Sequence, residues 1–209
     1  MKRITSRGDS SGTFRNRSRR SSRSPLRIVG VDGGAISGER LGRTVLVLVL
    51  LEGPRILDLK LGEIEVDGFD VQRTLVSLLG SLAYDVVMLS GVSFGGFNVV
   101  NLKLLARKVG RPVIAVIRER PENKAVLAAL RKHFGDWRER WRAVRDAGRL
   151  YSCRPLASEP KLYFEVRGCS AVSARRIIAS SSIVSRLPEP VRVAGLLAKG
   201  LRGCQVRIP

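Results

Sequence analysis

Three short stretches of the chain place reactive residue types beside glycine turns. "VGVDGG" ends an apolar, β-branched run on Asp32 and the pair Gly33-Gly34, and "EVDGFD" carries Glu65, Asp67 and Asp70. "MLSGVSFGGFN" reaches Ser90 and a glycine turn, then runs through Phe94, Gly95, Gly96, Phe97 and Asn98. Open α/β sheets present their functional groups at strand ends of this kind. Clustered carboxylates can hold Mg²⁺ or Mn²⁺, since hard divalent ions take oxygen ligands and neutralise acids that would otherwise repel one another. An ion so held activates water and stabilises a leaving oxygen.

A single histidine, His133, narrows the alternatives. Zinc hydrolases built on His ligands need more of them. A Ser-His-Asp triad would have to use His133, which sits in "RKHFG", where a helix-terminal His at the negative end of the macrodipole is the simpler reading. Asp32 reads as a metal ligand or as a plain turn Asp before two glycines. Asp70 reads as a second ligand or as the N-cap of the next helix, with Asp67 and Glu65 as neighbouring alternatives. Phe94 and Phe97 read equally as a wedge or stacking pair beside a base, with the glycines giving close backbone approach, or as core side chains flanking a turn.

The elements that must position these residues follow from hydrophobic periodicity. "LRIVGVDGG", "RTVLVLVLLEG" and "PRILDLKLGEIEVDG" are three strand-like runs in succession, without the helix that a dinucleotide-binding fold places after its first strand. From Asp70 the period becomes helical, with Val71, Leu75, Leu78, Leu79 and Leu82 on one face. A strand leading to Ser90, a helix around Asn98–Val109 and the strand "RPVIAVI" complete the order βββαβαβ. Helices over a mixed five-stranded sheet whose first three strands are antiparallel make the ribonuclease H-like α/β architecture. Further helices are expected towards His133 and after Asp136, the latter with Trp137, Trp141 and Val144 on one face and Arg138, Arg140, Arg142 and Arg145 as a solvated basic face. "LYSCRP" and "KLYFEVRG" read as a small C-terminal β-hairpin, followed by two closing helices.

The chain of 209 residues has room for one domain with a tail, and its formal net charge is +20. Residues 1–26 are expected to be a basic disordered tail, rich in Ser and Arg with almost nothing apolar to bury, and 27–209 to form the folded domain. From Ile28 onward there are still 29 basic and 17 acidic residues, so the body is basic in its own right. That excess predicts attraction to nucleic acid phosphates. The three cysteines, Cys153, Cys169 and Cys204, are widely spaced without CxxC and are expected as free thiols. "VLVLVLL" is too short to span a membrane and the N-terminus has no signal-peptide core, so a cytoplasmic protein without a membrane is expected.

In their order along the chain, "VGVDGG", "EVDGFD", "GVSFGGFNVVN", "RPVIAVIRERPE" and "LPEPVRVAGLLAKG" resemble archaeal endonuclease dU, a group related to endonuclease V, over about Arg27 to Gly203. The resemblance implies a ribonuclease H-like fold and Mg²⁺- or Mn²⁺-dependent cleavage of DNA near deaminated bases such as deoxyuridine. It implies Asp32 and Asp70 as catalytic metal ligands, with Gly33, Gly34, Phe94, Gly95, Gly96, Phe97, Asn98 and Arg118 towards the substrate. The chain departs from the family pattern where an Asp is expected and Ser90 stands, and again at Gly33, Asn101 and Gly195, which replace Asp, Asp and His. Ser90 can hold a metal-bound water through its hydroxyl but brings no charge. The implied activity is therefore either a working endonuclease with a reduced acid set or a catalytically weakened nucleic-acid-binding relative. A nucleotide-binding ATPase of the actin-like type, which opens similarly, would need two large lobes for which the chain is too short.

Overall fold

The computed structural model describes residues 25–34 and 42–201; the basic segment 1–26, apart from Pro25 and Leu26, lies outside them, as does Cys204. Strands β1 (Arg27–Gly33), β2 (Arg43–Glu52) and β3 (Arg55–Glu65) form an antiparallel meander. Helix α1 (Val71–Leu79) leads to β4 (Val86–Leu89), which pairs in parallel with β1. The short ribbon of β5 (Ser93–Phe94) and β6 (Asn98–Val99) precedes α2 (Leu102–Val109) and β7 (Val113–Ile117), parallel to β4. Then come α3 (Asn123–His133), α4 (Trp137–Asp146), β8 (Tyr151–Cys153), β9 (Leu162–Arg167), α5 (Ala171–Ser181) and α6 (Glu189–Gly200).

The strand order is β3-β2-β1-β4-β7-β9-β8. Its first five members are the ribonuclease H-like sheet expected from the sequence. The C-terminal hairpin does not stand apart: β9 pairs antiparallel with β7 and carries β8 outside it, extending the same sheet to seven strands. The helix expected at Asn98–Val109 begins later, at Leu102, because residues 98–99 are ribbon and Asn101 is the residue whose side chain caps the helix, accepting from Leu104 N at 2.9 Å. His133 closes α3, as its sequence context suggests.

Strand β2 explains its own composition. Leu46, Leu48 and Leu50 point into the core under α1 and α2, while Val47, Val49 and Leu51 meet Ala194 and Ala198 of α6 on the other face. A strand covered on both sides reads as an unbroken apolar run. Helix α6 lies so close to β1 that a side chain at Gly30 would coincide with the Pro190 carbonyl. The last helix is thereby seated on the first strand, beside Asp32. Among the described residues no helix is long and apolar enough to cross a membrane.

Candidate active site

Asp32 and Ser90 come together. Strand β1 delivers Asp32 near its C-terminal end, and Ser90 directly follows the parallel β4, with Ser90 N donating to Val31 O at 3.0 Å. Ser90 Oγ donates to Asp32 Oδ1 at 2.6 Å, and Gly33 N donates to the same oxygen at 2.8 Å. Asp32 Oδ2 accepts no hydrogen bond among the described residues and lies against α6, where a Cβ at Gly195 would stand 2.5 Å from it. The two residues line an open cavity of about 450 Å³ with Val116, Leu187, Arg118 and Lys199. Glu119 at its rim is engaged by Arg186 at 2.7 Å, whereas Arg118 and Lys199 have no ion pair among the described residues. Among the described residues the cavity thus holds one carboxylate oxygen without a hydrogen bond and two cations without an ion pair.

Asp70 is not part of this group. It hangs from Glu65, which lies two strands away and four residues beyond Leu61, the residue level with Asp32 on β3. Both Asp70 oxygens accept from Glu65 N, at 3.1 and 3.2 Å, and Oδ1 accepts from Asn98 Nδ2 at 2.7 Å. Arg43 Nη2 approaches Oδ2 at 3.8 Å. Asp70 occupies the N-cap position of α1 but makes no capping hydrogen bond. Asn98, fully buried, does that instead: its Oδ1 accepts from Val71 N at 3.2 Å while its Nδ2 also reaches Glu65 O at 2.9 Å. Asn98 therefore serves α1, not the helix that follows it, and faces the protein interior.

The glycine turn is likewise turned inward. Asp67, with φ of 56°, accepts from Phe97 N through Oδ1 at 2.8 Å and donates its own N–H to Gly95 O at 2.7 Å. Gly96, at φ 83°, presses so closely on that carboxylate that a side chain there would displace it. Gly34 N is committed to Val45 O. Phe94 is only 3 % exposed and belongs to the core, so it cannot wedge into DNA. Phe97 is half-buried and packs edge-on against Phe134, ring centroids 5.5 Å apart.

Arg140 closes this region from α4. It is 4 % exposed, not part of a solvated face as its neighbours suggest. Its Nη1 donates to Phe97 O at 2.6 Å and Gly68 O at 3.1 Å, while Nε and Nη2 hold Asp136 at 2.9 and 3.0 Å. The guanidinium is sandwiched by Phe69 at 4.0 Å and Phe134 at 4.4 Å. The hydrogen bonds from Arg140 hold the Asp136 carboxyl below its usual range, so Asp136 is an anchor for the arginine more than a cap.

Asp32, Ser90 and Arg118, three of the residues expected at the site, line one cavity. Sequence reasoning missed Lys199, whose only signal is a basic residue at the end of α6, and the true role of Arg140, signalled by an acid four residues earlier at Asp136. Among the described residues no three His, Cys, Asp or Glu side chains form a metal-binding group. The donor set at Asp32 therefore does not suit an ion held by protein alone. It does suit one hard ion shared with a substrate phosphate, the arrangement in which Mg²⁺ commonly uses one or two carboxylates.

Comparison with known proteins bears on this geometry. A sequence model of the endonuclease dU family matches residues 24–202. A UPF0215 protein of Thermococcus gammatolerans is 38 % identical over 183 residues, covering 84 % of this chain and 92 % of that protein. The crystal structure of a protein of unknown function from Archaeoglobus fulgidus is similar at a TM-score of 0.76 and 24 % identity, covering 84 % of this chain and 98 % of that one. Endonuclease V of Ciona intestinalis, in complex with a 24mer DNA containing an inosine followed by a ribo-adenosine, is similar at a TM-score of 0.56 and 14 % identity, with 83 % and 84 % covered.

Proposed function

The chain belongs to the endonuclease dU family, and from that premise we propose that it is an endonuclease acting on DNA that carries deaminated bases such as deoxyuridine, with a divalent ion as cofactor. The observation that carries this reading is the Asp32 carboxylate, held by Ser90 at the end of β1 in a cavity flanked by Arg118 and Lys199. Arg118 and Lys199 draw a phosphodiester into the cavity and offset its charge. Ser90 and Gly33 N fix the carboxylate by binding one oxygen, leaving Oδ2 for the chemistry. Asp32 would be the residue that holds Mg²⁺ or Mn²⁺, and the chemistry supplied with such an ion bound is activation of water and stabilisation of a leaving oxygen. Val116 and Leu187 give the cavity apolar walls.

The test is cleavage of a labelled duplex with one deoxyuridine, in Mg²⁺, Mn²⁺ or chelator, by the wild type and Asp32→Ala. Metal-dependent cutting that disappears in Asp32→Ala supports the reading; cutting that survives the substitution overturns the role of Asp32. The Ser90 hydroxyl in place of an acid favours a second reading, a relative that binds DNA without cutting it. In that case binding is tight, falls steeply with salt because phosphate contacts release counterions, and is indifferent to chelator.

A further inference from the structure

The two margins of the sheet differ. At one, β8 is three residues long and offers little to pair with; at the other, β3 is eleven residues long and has a strand neighbour, β2, on one side only. Helix α1 packs on one face of β3, whereas α6 lies on β1 and β2. On the α6 face of β3, level with Leu51 and Val49, stand Ile56 and Leu59, which are 54 % and 42 % exposed. A long edge strand with a bare apolar face is a template for another strand. The hydrogen bonds show which backbone groups face the open side. Leu59 N donates to Asp58 Oδ1 at 2.7 Å and Glu65 N donates to Asp70, so neither is turned to β2. Backbone direction alternates along a strand, so Leu61 and Glu63 between them face outward too. The last part of this edge is already closed, at Glu65 by Asp70 and Asn98 and at Glu63 O by Arg43 Nη2 at 3.1 Å. From Arg55 to Leu61 the Asp58 carboxylate is the one side chain among the described residues that is hydrogen-bonded to the β3 backbone.

Charges on an edge strand usually keep a neighbour away. Those of β3 admit one neighbour, because "RILDLKLGE", Arg55 to Glu63, is complementary to itself run backwards. We infer that β3 is the seam of a homodimer, in which it pairs antiparallel with β3 of a second copy about a two-fold axis through Leu59. In that register Leu59 meets Leu59 of the second copy, Asp58 meets Lys60 twice over, Leu57 lies level with Leu61, and Arg55 comes to Glu63 at each end. Moving the axis by one residue would set Lys60 against Lys60 or Asp58 against Asp58, so the charges select the register. Asp58 and Lys60 already pair within the chain at 3.5 Å and exchange partners across the seam, which frees Leu59 N for the carbonyl of the opposite Leu59. The β-bulge opposite Leu50 and Leu51 lies outside the central residues 58–60. Since β3 runs in the same direction as β1, the two-fold axis sends the two Asp32 cavities to opposite edges of one continuous sheet, opening away from each other. Nothing in this seam depends on the proposed activity.

The test is sedimentation equilibrium of the full chain without nucleic acid, over a range of concentrations at near-physiological salt, with far-UV circular dichroism to show that each variant keeps the fold. The wild type should approach the mass of a dimer as concentration rises. Leu59→Lys, a substitution at an exposed position, sets two like charges on the axis and should leave a monomer. Lys60→Asp sets Asp against Asp on both sides of the axis and should weaken the dimer about tenfold; Asp58→Lys should do the same. The double variant Asp58→Lys/Lys60→Asp restores opposite charges in every pair and should recover the dimer. A wild type that stays monomeric at every concentration overturns the seam, as does a dimer that Leu59→Lys and Lys60→Asp leave equally tight. A double variant no tighter than the two single ones overturns the register about Leu59.

Discussion

Asp32 and Asp70 are both aspartates beside a glycine turn on the same edge of one sheet, and the structure uses them in opposite ways. Asp70 is saturated: two contacts to Glu65 N, one to Asn98 and the nearby Arg43 leave it little reason to bind anything else. Among the described residues Asp32 has one oxygen held and the other without a hydrogen bond, at the wall of a cavity with two cations that form no ion pair. A carboxylate whose partners all come from its own chain is an element of architecture, and one left half-satisfied beside open space is available for chemistry.

The contrast is tested by removing Asp32 on one side and, on the other, the side chains that hold the Asp70 region together. Asp32→Ala should lower cleavage about a hundredfold or more while thermal unfolding stays close to the wild type; comparable losses of activity and stability would put Asp32 in the architectural class. Arg140→Met should destabilise the fold by about 3 kcal/mol in denaturant titration, because it strands the carbonyls of Gly68 and Phe97 and leaves Asp136 without its counter-charge. Asn98→Ala should cost about 2 kcal/mol by the same measurement, since Val71 N, Glu65 O and Asp70 each lose a buried partner. A neutral outcome for both would show that the Asp70 region is not a clasp.

Ser90→Asp probes the contrast from the other side. A second carboxylate placed where Ser90 Oγ now sits, 2.6 Å from Asp32 Oδ1, should lower stability in chelator by about 1 kcal/mol through like-charge repulsion. Added Mg²⁺ should restore it, with tighter metal binding by calorimetry. Unchanged metal affinity would remove Ser90 from the site.

A third kind of carboxylate gives the fold a pH dependence. Glu165 on β9 is pushed up to about 7 by burial, an effect that Arg167 only partly offsets. The folded state therefore holds its proton more tightly than the unfolded chain. This contribution to stability is complete below the ordinary glutamate range, declines as pH rises and is lost as pH passes about 7. Melting curves of Glu165→Gln should lack that part of the decline between pH 5 and 8 in which the wild type loses stability.

What could be read in advance follows a physical boundary. The strands, their order and the meeting of Asp32 with Ser90 were legible, because apolar runs locate buried strands and strand ends share an edge of the sheet. The partners of Asp70 were not, since Asn98 lies 28 residues away and no local pattern links them. Arg140 reaches Gly68 across 72 residues, so a helix face rich in arginine concealed a buried one. The two readings of Phe94 and Phe97, beside a base or in the core, stayed open for the same reason: only packing shows that Phe94 seals the core.

The seating of α6 on Gly30 has a consequence for how the molecule is made. The face of β1 and β2 that holds Val47, Val49 and Leu51 has its cover, Ala194 and Ala198, at the far end of the chain. During synthesis at ~5–20 residues per second, roughly 150 residues must follow β1 before that cover exists, so an apolar sheet surface stays bare on the ribosome for about 8–30 s. A chain interrupted before α6 would keep that surface open and lack the wall beside Asp32, so premature termination would yield a sticky species without the completed site.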